Sequence, residues 1–449
     1  MKNVLVISYF FPPLGGAGIQ RTLKFVKYLP QCGWLPIVLT QKHGHHFAYD
    51  YEQLEFISKK VRVVRANAFE FIKLRKTIRI ILMNLFTLTH SSNQKGNTLN
   101  QKYISTSKRI YPLNLLRKFV EQWLFIPDSK IRWFPAAMHA GLKVTRNTEI
   151  DILYSTSYPY TCHLIGYALK LITNKPWIAD FRDPWADNAF MTKGFSRWRR
   201  RIDHQLEGRV VQKADIVVLP TEPIGKQFIK KYPMENSAKF KVIPNGYDEE
   251  DFRGIKEKKP TKFTIVFTGT LTPSSSPGQF FEALSKISGE QPDIISDVKV
   301  YFVGWIEPIY VKLIKELRLD NIIEIMPYVS RNKCLRIIAG ASILLLPLAE
   351  SWKDKGIFTG KIFDYLSARR PILALVPEDI AANLIRQTNS GIVVNPEERD
   401  AIVKAILTFY EKHKNNTLAL DRGTLPVEYS RQYLTKTLAQ VFDELIKPR

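Results

Sequence analysis

Apolar runs of strand length recur along this chain, unbroken by polar alternation and separated by segments with helical periodicity. Residues 4–10, 36–39, 61–64, 150–154, 177–181 and 216–219 form a first series. Continuous apolar strands joined by helices are buried on both faces, which marks a parallel sheet covered by helices above and below. A turn pair, Asn245-Gly246, and a charged stretch at 248–262 with Lys256, Lys258, Lys259 and Pro260 interrupt the pattern. A second series follows at 263–267, 298–303, 322–326, 343–346, 372–376 and 392–394. The chain therefore reads as α/β with two doubly wound units, 1–255 and 256–425. A last segment, 426–449, carries Leu434, Leu438, Phe442 and Leu445 at helical spacing and needs an apolar surface to cover.

The 449 residues are 45% apolar and 24% charged, enough for two cores and outside the range of disordered or fibrous chains. Lysine and arginine number 66 against 42 acids, a net charge of +24 that attracts polyanions: nucleic acid, anionic lipid or phosphorylated ligands. The basic residues are scattered rather than gathered in one module, which argues against nucleic acid as partner. Cys32, Cys162 and Cys334 lie far apart and support neither a disulfide framework nor a zinc site, so a reducing cytoplasm is expected. No run approaches the roughly 20 apolar residues of a membrane-spanning helix, and any membrane contact is expected to be peripheral, at the inner face of the plasma membrane. A basic amphipathic insertion at about 70–126 bears on that contact. It sets Phe71, Leu74, Ile78 and Leu82 beside Lys73, Arg75, Lys76 and Arg79, then adds Leu115, Leu116, Arg117, Lys118 and Trp123. Such a segment either packs on its own domain or lies on an anionic surface.

Several turns combine chemistry with position. The first strand runs into Pro12-Pro13-Leu14-Gly15-Gly16-Ala17-Gly18 before a helix near Ile19. Glycines there let backbone approach a ligand, and a helix start favours phosphate or carboxylate, although the spacing is neither the dinucleotide nor the Walker pattern. A serine-rich turn at 155–162 precedes His163, either an acid/base or sugar-binding group or a satisfied structural histidine. In Asp180-Phe181-Arg182-Asp183-Pro184-Trp185, two carboxylates bracket an arginine at a strand end, to fix the loop or to meet a ligand. Arg197-Trp198-Arg199-Arg200-Arg201 opens a helical pattern with a solvated or lipid-facing surface. In the second unit, Thr268-Gly269-Thr270-Leu271 follows a strand, and Thr359-Gly360-Lys361 opens a helix with Asp364 one turn on. Phosphate suits that helix start and a carboxylate suits a ribose diol.

These segments, in this order and spacing, resemble the family 4 retaining glycosyltransferases of the GT-B fold, in the branch that builds bacterial surface polysaccharides. Val242-Ile243-Pro244-Asn245-Gly246 and Gly360-Lys361-Ile362-Phe363-Asp364-Tyr365 carry the likeness into the second half of the chain. The resemblance implies two Rossmann-like domains facing a cleft, with the terminal helix crossing back to the first. It implies a nucleotide-sugar donor on the second domain, a lipid-linked or glycan acceptor on the first, and neither cofactor nor metal. By position, Asp364 takes the place of the ribose-binding acid, Thr359, Gly360 and Lys361 lie near the diphosphate with Gly269 and Thr270, and Tyr328 and Val329 lie near the base. Gly15, Gly16 and Gly18 form the acceptor or phosphate loop, and Asp183, Arg182 and His163 are the candidate catalytic group. The chain departs from the family in lacking an arginine and a lysine after the Phe267-Thr268-Gly269 turn. Lys361, helped by Arg182 or Lys355, is the expected substitute. The first of the family's paired acids is replaced by Gly356, and Arg182 stands where many members carry a histidine. A sugar-nucleotide epimerase of the same fold and an inactive donor-binding relative are the alternative readings.

Overall fold

The computed structural model describes residues 1–42, 48–67, 125–188, 192, 194–255, 260–353, 356–418 and 425–446. The two basic apolar stretches expected at 71–88 and 111–125 fall almost wholly outside these residues, as do Lys355 and Lys256 to Lys259.

The first series of apolar runs forms seven strands: β1 (Lys2–Ile7), β2 (Trp34–Gln41), β3 (Arg62–Ala66), β4 (Ile152–Thr156), β5 (Trp177–Asp180), β6 (Ile216–Leu219) and β7 (Phe240–Val242). All pair in parallel, in the order β3-β2-β1-β4-β5-β6-β7. The second series forms β8 (Phe263–Leu271), β9 (Val298–Ile306), β10 (Ile323–Met326), β11 (Ile343–Pro347), β12 (Ile372–Leu375) and β13 (Gly391–Val394). These are also parallel, in the order β10-β9-β8-β11-β12-β13. Every residue of β4, β5, β11 and β12 is buried, which is why their sequences show no alternation. The short edge strand β7 was not expected, because three residues ending in a turn carry no periodicity of their own.

In each sheet the strand order reverses next to its first strand, between β1 and β4 and between β8 and β11. Crevices open beyond the carboxyl ends of strands at such switch points. The loop after β1 is the glycine-rich turn at 12–18, and the loop after β11 leads into helix Lys361–Ser367. The sequence's candidate turns therefore stand where two crevices can face one another. One boundary differs from expectation: Thr268 to Leu271 does not follow β8 but completes it, pairing as far as Leu271 with Ile306.

Helix Arg431–Ile446 lies on the first domain. Leu434, Leu438 and Phe442 share a core with Val4, Val6, Leu23 and Trp34, and the Phe442 ring meets Trp34 edge-on at 5.0 Å. The apolar stripe of the last segment thus finds its surface on the β1–β2 face rather than beside the strands that precede it in the chain.

His163 belongs to this structural layer and not to a catalytic face. It sits in helix Thr161–Thr173 and is fully buried. Its Nδ1 lies 2.9 Å from Ser155 Oγ, which accepts a hydrogen bond from Trp177 Nε1 at 2.9 Å. The ring packs 4.5 Å from Phe181. Gly166, one turn along, leaves the space through which Trp177 reaches Ser155, since a Cβ there would meet the indole nitrogen. Burial pushes the imidazole down to about 3, so it is neutral, and its Nε2 is enclosed without a partner among the described residues.

Two outcomes follow from this packing. Phe442→Ala empties a site between the terminal helix and the sheet of the first domain and should lower unfolding free energy by about 3–5 kcal/mol, read from urea denaturation. His163 binds a proton in the unfolded state near pH 6.5 but not in the fold. Its contribution to stability is therefore complete above that pH and lost as pH falls, by up to about 1.4 kcal/mol per unit. Urea midpoints between pH 7 and 5 should fall less steeply in His163→Gln; an unchanged slope would show that the histidine is not neutral in the fold.

Candidate functional site

The glycine-rich loop owes its shape to buttressing from behind. Asp50 N–H donates to the Pro13 carbonyl (2.7 Å), Gly15 N–H to Ala48 (3.0 Å), and Arg65 Nη2 to the Pro12 carbonyl (2.6 Å). Gly16 takes φ +101°, a backbone region that side chains disfavour. Arg182 reaches over from the β5 loop: its Nη1 donates to the Gly18 carbonyl (2.6 Å), and its Nε lies 3.3 Å from Asp183 Oδ2. Arg182, Asp183, Gly16 and Gly18 are thus brought together, each partly open to solvent.

Beneath them lies a buried ion pair that sequence alone did not single out. Arg21, on helix Gln20–Tyr28, donates through Nε and Nη2 to both oxygens of Asp180 (2.8 and 2.9 Å). Tyr154 and Thr156 hydroxyls also donate to Asp180 Oδ2 (2.6 and 2.9 Å). Burial alone would push the Asp180 carboxyl up, but the Arg21 guanidinium and these donors hold it below the usual carboxylate range. Of the acids in the Asp180–Asp183 turn, the first is buried in this ion pair and only the second is open to solvent.

On the second domain, Gly269 has φ +111° and Gly304 beside it φ +132°. This bare backbone accommodates Lys361, whose Cε lies 2.6 Å from where a Gly269 Cβ would stand. The Lys361 ammonium sits 5.0 Å over the Phe267 ring. Burial lowers it to about 8, partly offset by Asp364. Thr359 and Gly360 precede this helix, with Gly360 and Thr270 exposed. The arrangement delivers one cation to the strand end where an expected arginine and lysine are missing.

Asp364 is not free. Arg331 grips it with both arms, Nη1 to Oδ2 at 2.7 Å and Nη2 to Oδ1 at 2.6 Å. Arg331 Nη2 also reaches Asp251 Oδ2 in the interdomain linker (2.9 Å), and its amide donates to Asp50 Oδ2 of the first domain (2.8 Å). Lys24 of the first domain pairs with Asp251 and, at 2.7 Å, with Asp248. Arg331 opens helix Arg331–Ala339 within a polar Arg-Asn-Lys run, and such runs usually mark a solvated face. Nothing in the sequence set it apart. Nearby, Tyr328 leans across the crevice onto Gly15, where any side chain would collide with its hydroxyl. Val329 follows, half-buried.

Among the described residues, Asp187, His204 and Glu207 bring ligand-type atoms within 4.8 Å of one another. The Lys231 ammonium already pairs with Asp187 (2.6 Å) and with Glu207, so the cluster is a salt-bridge network with its own cation. No described helix is long and apolar enough to cross a membrane.

Sequence models of two glycosyltransferase families match the chain, one per domain: Glycosyltransferase Family 4 over residues 106–251 and Glycosyl transferases group 1 over 262–412. No curated protein matches it in sequence. Among solved structures, sucrose-phosphate synthase from Thermosynechococcus elongatus superposes with a TM-score of 0.61 at 11% identity, covering 99% of both chains. Anabaena HepE in complex with UDP and glucose gives 0.59 at 14% identity, covering 99% of this chain and 100% of its own. WaaG, a glycosyltransferase involved in lipopolysaccharide biosynthesis, gives 0.54 at 14%, covering 98% and 99%. At such identities the superpositions speak for the fold, and the two sequence models speak for the family. With twin parallel sheets meeting across a crevice of glycine-rich turns, this chain is a GT-B glycosyltransferase of the family 4 type.

Proposed function

We propose that the enzyme transfers a sugar, with retention, from a uridine diphosphate sugar bound on the second domain to a lipid-linked or glycan acceptor bound on the first. The observation that carries this reading is Lys361 laid across Gly269, one helical turn before Asp364. A cation at a helix start suits a diphosphate, and a carboxylate suits a ribose diol. The choice of uridine rests on HepE, whose structure holds UDP and glucose. Tyr328, exposed beside this site, offers a ring for the base. The leaving diphosphate is neutralised by Lys361 and Arg182 without a metal ion. Transfer breaks the bond between the anomeric carbon and the donor phosphate oxygen, forms one between that carbon and the acceptor oxygen on the same face, and passes the acceptor hydroxyl's proton to the departing phosphate oxygen.

Arg331 gives Asp364 a second partner that must be shared or displaced when ribose binds. Asp251 remains on the Arg331 guanidinium when that happens, so its charge is not left bare. The net charge of +24 supports a place at the inner face of the plasma membrane, where anionic lipid and phosphorylated substrates lie.

Calorimetric titration of UDP, GDP, dTDP and ADP should show selective binding of UDP, weakened about ten- to a hundredfold in Asp364→Ala, the loss expected of a charge-assisted contact. Absence of binding by all four would sink the donor site. Protonated Lys361 is the form that attracts a diphosphate, so UDP affinity should fall as pH rises through about 8. Lys361→Arg should remove that dependence. Cosedimentation should find the chain on anionic but not neutral vesicles, and equal binding to both would exclude an electrostatic membrane contact.

A further inference from the structure

A cavity of about 720 Å³ lies at the hinge, apart from the donor crevice. The interdomain linker, the carboxyl ends of helices Arg331–Ala339 and Lys361–Ser367, and the start of helix Arg431–Ile446 wall it in. Arg253, Arg369, Ser430 and Arg431 line it. Arg431 is only 6% exposed, and its Nη1 is buried with no hydrogen-bond partner among the described residues. A buried guanidinium without an acceptor is among the costlier arrangements a fold can retain, and it is normally repaid by an anion.

The surroundings sharpen the case. Burial and the neighbouring Arg21 charge push Arg431 down to about 9, while Asp364, Asp251 and Asp248 pull the other way without forming an ion pair with it among the described residues. Three acids also line the cavity, Asp248, Glu249 and Glu250. Asp248 is taken by Lys24 (2.7 Å) and Tyr28 (2.8 Å), and Glu250 by Lys27 (2.6 Å), while Glu249 stands exposed to solvent. Arg253 and Arg369 stand exposed on the rim. The start of the 16-residue helix Arg431–Ile446 adds the positive end of its dipole.

We propose that this hinge cavity is an anion site for a phosphorylated small molecule, with the phosphate held on Arg431 and the rim arginines. Its volume exceeds what a bare phosphate ion fills and matches a small-ligand pocket, so a sugar phosphate is the size of occupant it suits.

Thermal unfolding of the full chain in phosphate-free buffer tests this, with inorganic phosphate, glucose 1-phosphate or glucose added and ionic strength matched by sodium chloride. Phosphate and glucose 1-phosphate should raise Tm and glucose should not; a tighter hold on glucose 1-phosphate assigns the site to a sugar phosphate, an equal one to the ion. Arg431→Gln should raise the starting Tm, because an uncompensated buried charge is removed, and should abolish the phosphate response. Lys361→Gln, altered where the donor reading places the diphosphate, should keep that response, which separates this site from the donor reading. Arg369→Gln lies on the exposed rim and should weaken glucose 1-phosphate severalfold even if Arg431→Gln fails to fold. No shift beyond the salt control, an equal shift in Arg431→Gln, or undiminished binding in Arg369→Gln would overturn the proposal.

Discussion

The buried pair of Arg21 and Asp180 is the contact on which the first domain and the hinge both depend. Asp180 ends β5 next to the β1–β4 switch point, and Arg21 comes from the helix that follows the glycine-rich loop. Beyond Asp180, the same guanidinium donates to the Ile243 and Pro244 carbonyls (2.9 and 2.8 Å), the first residues past β7 and the beginning of the path to the second domain. One side chain thereby fixes the loop helix, two neighbouring strands and the departure of the linker. Removing either partner would strand a charge in the core, at a cost of about 3–5 kcal/mol. The pair satisfies nearly every lone pair and proton it has, so the crevice above it can carry Arg182 and Asp183 in partly solvated positions without having to stabilise the loop.

Parallel sheets make the strands legible and the charges illegible. Twelve apolar runs declared themselves because strands buried on both faces need unbroken hydrophobic sequence, whereas β7, three residues with Lys241 at the centre, had no such requirement. The glycine-rich turn, Arg182, Gly269, Lys361 and Asp364 stood out in the sequence because backbone geometry and strand ends constrain those residue types, and the structure places them at the strand ends and helix starts expected of them. His163 stayed open between two roles for a physical reason: a histidine at the start of a helix after a strand looks the same whether its ring turns toward the crevice or toward Phe181. What decided it was the space at Gly166 and the Trp177–Ser155 hydrogen bond, both fixed by residues distant in sequence.

Arg331 was missed on the same principle in reverse. Its partners are Asp50, Asp251 and Asp364, separated from it by 281, 80 and 33 positions. No local pattern distinguishes an arginine that joins three segments from one that faces water. Long-range charge pairing is a property of the closed fold, and it concentrates where the domains meet because that interface is assembled from loops and helix ends rather than from apolar faces.

This distribution of charge has a mechanical consequence. Lys24 and Lys27 on the first domain hold Asp248 and Asp251 of the linker, and Asp251 in turn shares Arg331 with Asp364. A continuous chain of ion pairs thus runs from the first helix of the first domain to Asp364 of the second. Ion pairs tolerate small displacements better than interlocked apolar side chains, because Coulomb attraction falls gradually with distance while packing contacts are lost within an ångström. A hinge made of such pairs can turn without emptying a core. The terminal helix supplies the complementary constraint: Leu434, Leu438 and Phe442 bind it to the first domain through apolar contact, so the return of the chain to the first domain is fixed by packing where its departure is fixed by charge.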